Sequence, residues 1–94
     1  MADLDEVHYD LEVDGNEVRK ELSRRVWERA GWATIAIAFA ERDPDQAPGT
    51  WKPARVTVLR FRRWNGGWQR QAQLTLSSDE ASDLARTILG WIGP

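Results

Sequence analysis

Arg60, Arg62 and Arg63 share one short run with Trp64, and Trp68 and Arg70 follow directly across a turn ("RFRRWNGGWQRQ", Arg60 to Gln71). A guanidinium neutralises phosphate and carboxylate and donates hydrogen bonds in a fixed fork. An indole stacks on flat π-systems, with base–aromatic stacking worth about 1–3 kcal/mol per base. Between the two groups stands Asn65-Gly66, the strongest short signal for a tight hairpin, because both central residues of the turn must accept positive φ. The chain therefore reverses with one tryptophan on each arm. At this level two readings stand side by side. The indoles form a cross-strand pair that stabilises the hairpin, or the cluster is a contact surface for a partner.

Charge is distributed in blocks. The 94 residues carry a net charge of −2, but residues 1–17 hold seven acids and no Lys or Arg, whereas residues 50–75 hold six bases (Lys52, Arg55, Arg60, Arg62, Arg63, Arg70) and no acid. The candidate contact set is thus Arg60, Arg62, Arg63, Trp64, Trp68, Arg70 and Lys52. Residues 1–17 are expected to form an acidic flexible tail. Such a tail serves as a solubilising leader or folds back over the basic face as an anion mimic. Six tryptophans exceed what one small core accommodates, so some are expected at a surface, where Trp favours partners.

Catalytic chemistry finds little support. There is no cysteine, hence no disulfide, thiolate nucleophile or thiolate-bound metal. His8, the single histidine, sits among acids in the expected tail, a poor scaffold for a metal. Gly66-Gly67 joins strands and does not open a helix, unlike a phosphate-binding loop. Ser77 lacks a base partner and is better placed as a helix cap. The chain is expected to be no enzyme and to need no metal or cofactor. No apolar run approaches the length of a membrane span, and "MADLDEVHYD" is not a secretory leader. A cytoplasmic protein without a membrane partner is expected.

These residues must be held by a sheet. "WATIAIAFAER" alternates large apolar Ile35, Ile37 and Phe39 with small Thr34, Ala36, Ala38 and Ala40, which is strand period. "ARVTVLRFRRW" follows with Thr57, Leu59 and Phe61 on one face and Val56, Val58, Arg60, Arg62 and Trp64 on the other. "WQRQAQLTLS" completes the hairpin, with Trp68, Arg70, Ala72, Leu74 and Leu76 sharing one face and Gln69, Gln71, Gln73 and Thr75 the other. Residues 18–29 fit either a helix (Val18, Leu22, Val26) or a first strand, their second half leading as strand into Trp32. Ser77 and Glu80 make a capping box for a C-terminal helix with an Ala81, Leu84, Ala85, Ile88, Ile92 stripe. Residues 18–94 are expected as one α+β domain: a curved antiparallel ββββα sheet with its amphipathic helix packed on one face, over Ile35, Ile37, Phe39, Leu59, Phe61, Leu74 and Leu76. The opposite face, with Thr34, Ala36, Ala38, Arg60, Arg62, Gln69, Gln71 and Gln73, is left open, rimmed by Trp64 and Trp68. Trp91 either caps the core or sits in a dimer interface.

The order of elements, with "ARVTVLRFRRW", a hairpin turn and "RQAQLTLSSDEASDLARTIL", resembles the positive-cofactor-four family of single-stranded-DNA-binding transcriptional coactivators, and more distantly the Whirly proteins. The resemblance covers about residues 20–92. It implies a homodimer formed through the helix, with Leu84, Ile88 and Trp91 as interface candidates. It also implies single-strand binding by the curved sheet, with Arg60, Arg62, Trp64, Trp68 and Arg70 in contact. This chain departs in carrying eleven arginines and two lysines where the family is lysine-rich, and in a longer loop over residues 43–53. The expected function is sequence-tolerant binding of single-stranded DNA or RNA as an accessory factor in transcription or genome maintenance. The alternative is a protein–protein interaction module, a subunit or inhibitor, using the same Trp/Arg-rich face.

Overall fold

A computed structural model describes residues 3–47 and 49–93. Five antiparallel strands follow one another in chain order in a single curled sheet: β1 (Leu11–Val13), β2 (Asn16–Arg29), β3 (Trp32–Glu41), β4 (Arg55–Trp64) and β5 (Gly67–Ser77). One helix, α1 (Ser78–Ile92), ends the chain. The architecture is α+β, as the alternation and the capping box imply. Residues 18–29 are strand throughout. They pair with β3 along nearly their whole length, from Arg19↔Glu41 to Arg29↔Trp32, so pairing overrides the local helical spacing.

The core lies on one face of the sheet. Ala33, Ile35, Ile37 and Phe39 of β3 and Thr57, Leu59 and Phe61 of β4 are buried, joined by Trp68 of β5. Thr57 is fully buried but not orphaned, its Oγ1 standing 3.1 Å from the hydroxyl of Thr75. This face is covered by the N-terminal residues and not by the helix. A short 3-10 turn (Leu4–Glu6) precedes Val7, which is buried in the core cluster, and Leu4 and Tyr9 pack against the same cluster. The Tyr9 ring meets Phe39 edge-on at 4.7 Å between centroids. Arg24 Nη2 donates to the Val7 carbonyl at 2.6 Å, Arg19 Nε to the Tyr9 carbonyl at 2.8 Å, and the Glu21 amide to Asp10 Oδ1 at 2.8 Å. The expectation of a flexible acidic tail over residues 1–17 is therefore corrected from residue 3 onward. Set among its acids are Leu4, Val7 and Tyr9, three apolar anchors that cover a core face the helix leaves bare. Residues 3–10 lie on the core face, not over the basic face, and residues 11–17 enter the sheet as β1 and the start of β2, which gives five strands where four were expected.

The helix forms where expected. Ser77 Oγ accepts from the Glu80 amide at 3.2 Å and Glu80 Oε1 accepts from the Ser77 amide at 3.1 Å. It runs off the end of β5, touching chiefly β5 and β4, and none of its residues is buried. The expected packing of its stripe over the sheet is not what the structure has, because Val7 and Tyr9 already occupy that face. Leu84, Ile88, Leu89, Trp91 and Ile92 stay exposed. The result is a thin body, 45 × 37 × 16 Å, with a radius of gyration of 15.5 Å. A compact domain of this length has about 12–13 Å.

Two of the sheet's three register shifts set which side chains share a face at the open surface. Between β4 and β5 the register passes from Arg60↔Ala72 to Phe61↔Arg70, leaving Gln71 as the extra residue. Between β2 and β3 it passes from Glu21↔Phe39 to Ser23↔Ala38, leaving Leu22 extra. A single extra residue reverses the alternation beyond it. Leu74 and Leu76 therefore pair with Val58 and Val56 on the open face, while Gln73 and Thr75 pair with Leu59 and Thr57 on the core face. Strict period two across "WQRQAQLTLS" assigned both sets the other way.

Candidate nucleic-acid interface

The β4–β5 bulge splits the sequence-derived contact set. Arg60, Arg62 and Trp64 stand on the open face. Arg63, Trp68 and Arg70 stand on the core face: Trp68 is buried, Arg63 lies over its ring at 5.3 Å, and Arg70 lies 6.0 Å from the Phe61 ring and donates to Gln73 Oε1 at 3.1 Å. Trp64 and Trp68 thus neither pair across the hairpin nor rim one surface, because Trp64 pairs with Gly67 and Trp68 with Arg63. Lys52 lies at the opposite end of the sheet, its amide donating to the Glu41 carbonyl at 2.8 Å. The ten residues of β3 span about 30 Å, so Lys52 is remote from the arginines beside Trp32.

The β2 bulge brings partners that the sequence reading missed. Beyond Leu22, residues Ser23, Arg25, Trp27 and Arg29 face the open side, paired with Ala38, Ala36, Thr34 and Trp32. Three cross-strand rows result. Arg25, Ala36, Val58 and Leu74 form the first. Trp27, Thr34, Arg60 and Ala72 form the second, and Arg29, Trp32, Arg62 and Gln69 the third. Trp32 is flanked by an arginine on each neighbouring strand. The available signal was "VWERAGW": two tryptophans around Ala30-Gly31, both of which have positive φ (53° and 81°) as a two-residue hairpin turn requires.

Cations lie on rings across this patch. The Arg60 guanidinium carbon is 4.7 Å and that of Arg62 5.6 Å from the Trp32 centroid, and that of Arg25 is 5.3 Å from Trp27. Arg60 Nη1 also donates to Thr34 Oγ1 at 2.6 Å. Among the described residues the ion pairs are Arg24–Glu21 and Arg55–Glu41. Arg25, Arg29, Arg60 and Arg62 therefore face solvent without a carboxylate partner. The guanidinium of Arg24, on the core face, is by contrast held more firmly protonated than usual, first by its hydrogen bond to Glu21 and against the opposing effect of burial.

Nothing in this patch resembles acid–base or nucleophilic machinery, and among the described residues no cluster of acids and histidine converges as a metal site. Among the same residues, no helix is long and apolar enough to cross a membrane. The chain matches no protein-family model, and neither curated proteins nor solved structures give a significant match. What fold and site define is a single-sheet α+β domain with one face sealed by its own N-terminal segment and the other presenting unpaired arginines on tryptophan rings.

Proposed function

We propose that the chain binds single-stranded nucleic acid with little sequence preference, through the open face of the sheet, and acts as a non-enzymatic accessory factor in transcription or genome maintenance. The observation that carries this is the arginine–tryptophan lattice: Arg25, Arg29, Arg60 and Arg62, none paired with a carboxylate, interleaved with Trp27, Trp32 and Trp64. Sequence-tolerant single-strand binders need an electropositive track for phosphates and ring faces for bases. Thr34, Ala36 and Ala38 keep the middle strand low, so that a strand approaches the backbone. Duplex recognition is disfavoured by the absence, among the described residues, of a basic helix. The sequence resemblance to the positive-cofactor-four family points the same way.

A homodimer belongs to the same reading. Leu84, Ile88 and Trp91 are 39%, 38% and 77% exposed on a helix that no sheet face covers. An apolar stripe of that kind is relieved by a second copy. Ile88→Glu is expected to convert a dimer to monomer in sedimentation velocity without unfolding the sheet.

The test of the binding reading is anisotropy titration of a labelled single strand of about 20 nucleotides at two salt concentrations, following Trp fluorescence in parallel. Steep weakening with salt and quenching of Trp are expected. Binding that hardly responds to salt, or a protein partner captured in place of the oligonucleotide, favours the interaction-module alternative. Unchanged affinity and salt slope in Arg60→Ala with Arg62→Ala defeats the assignment.

A further inference from the structure

Trp27 and Trp32 are diagonal neighbours on the open face: Trp27 pairs with Thr34, and Arg29 with Trp32. Diagonal partners in an antiparallel pair stand about 7–8 Å apart. One flat ring stacked between two others needs about 3.5 Å on each side. The two indoles do not stack on each other; among the described residues the aromatic contact is Tyr9 with Phe39. Between them lies an open cleft of about 260 Å³ lined by Trp27, Arg29, Ala30, Trp32 and Arg60. The turn that carries Ala30 is tied down, because the Arg63 amide of β4 donates to the Gly31 carbonyl at 2.8 Å.

We infer that this cleft is a slot for one nucleobase, clasped between Trp27 and Trp32, with the flanking phosphates taken by the arginines around it. The inference rests on the nucleic-acid reading above and gives it a register point. In the free protein a guanidinium that lines the cleft sits on one of the rings a base needs, Arg60 on Trp32. An exposed cation–π contact is weaker than a base stack. An arriving base therefore displaces the Arg60 guanidinium, which swings towards a neighbouring phosphate. The slot is lined by donors from Arg29 and Arg60 and by no carboxylate, so it suits an anionic nucleotide and repels a cationic ring.

The experiment follows the indole N–H resonances of the whole protein while adenosine monophosphate, ribose 5-phosphate or N-acetyl-tryptophanamide is added. Adenosine monophosphate is expected to move Trp27 and Trp32 together, and ribose 5-phosphate to move neither. If adenosine monophosphate moves neither indole, the slot is overturned, even if oligonucleotides bind elsewhere on the face. If it moves both while single strands fail to bind, the slot stands and the strand-binding reading falls. If only the tryptophan amide moves them, the slot belongs to a protein side chain and the inference is overturned. Trp27 is 48% exposed, so Trp27→Leu is tolerated by the fold. It is expected to weaken oligonucleotide binding on the order of ten-fold and to abolish the preference for an intact strand over one carrying abasic sites, with Trp27→Phe restoring both. Equal affinity of Trp27→Leu and the parent protein also overturns the slot.

Discussion

On the core face of the sheet, Arg19 and Arg24 donate to the carbonyl oxygens of Tyr9 and Val7, and Arg24 also pairs with Glu21. On the open face, Arg25, Arg29, Arg60 and Arg62 lie on or beside indoles with no carboxylate partner among the described residues. The same residue type thus does two jobs in one sheet. A guanidinium satisfied by its own chain fastens a covering segment. One left over a ring, wet and unpaired, gives the fold little and remains available to an anion. The stretch from Asp3 to Asp10 sharpens the contrast: it lies over the core face, so its acids do not mask the open one.

The contrast breaks most easily at Val7. It is buried against Ile35, Leu59 and their neighbours, so Val7→Asp places a carboxylate in the core cluster. A loss of about 3 kcal/mol or more in urea unfolding is expected. Wherever the variant remains folded, its oligonucleotide affinity is expected to match the parent's. Unchanged stability would mean that the N-terminal segment does not seal the sheet, and both faces would then be open. Next in size is a pair of double substitutions, one on each face. Arg60→Ala with Arg62→Ala is expected to weaken single-strand binding by about ten-fold or more at low salt and to reduce the salt slope by about 1.4, at roughly 0.7 per phosphate contact. Arg63→Ala with Arg70→Ala, on the other face, is expected to change affinity little. Equal losses in the two variants would erase the distinction between the faces.

A third, smaller effect concerns the helix, which belongs to neither face. With no buried residue, α1 depends on its own local signals. The Glu80 carboxyl is held below the usual glutamate range, chiefly by the backbone hydrogen bond from Ser77 and then by that residue's side chain. A depressed value in the folded state means that the cap contributes fully at neutral pH and is lost as pH falls through the folded value. Part of the helical circular-dichroism signal is expected to fade below about pH 4, and Glu80→Gln is expected to show a smaller change over the same range. A helix signal that follows sheet unfolding at every pH would show that packing, not the cap, holds it.

The sheet order, the β3 and β4 faces and the capping box were legible because each rests on local pattern: alternation in "WATIAIAFA", turn chemistry at Asn65-Gly66, and Ser77 three residues before Glu80. What was not legible depends on pairing. A bulge has no composition of its own, so nothing in "WQRQAQLTLS" announces that Gln71 is extra and that Trp68 turns inward while Leu74 turns out. The same is true of Leu22, and through it of Arg25, Trp27 and Arg29, three of the seven residues of the candidate interface. The packing of the N-terminal segment is hidden from composition because seven acids outweigh three apolar anchors there, although the anchors are what touch the core.

The finest test lies in the turn beneath the slot. Ala30 has φ 53°, in the left-handed region where an alanine Cβ crowds the following carbonyl, and Gly31 beside it has φ 81°. A glycine or asparagine at position 30 is the ordinary solution for such a turn. Ala30→Gly is expected to raise stability by about 1 kcal/mol, since it relieves that crowding and no side-chain contact of the core depends on residue 30. The two readings of the strain then separate on binding. If the turn is only a connector, the more stable variant binds a single strand as the parent does. If Ala30 serves to hold Arg29 and Trp32 at their separation from Trp27, the glycine variant gains stability and loses affinity together. That opposed pair of changes, read from urea unfolding and anisotropy on the same variant, would tie the strain at Ala30 to the slot.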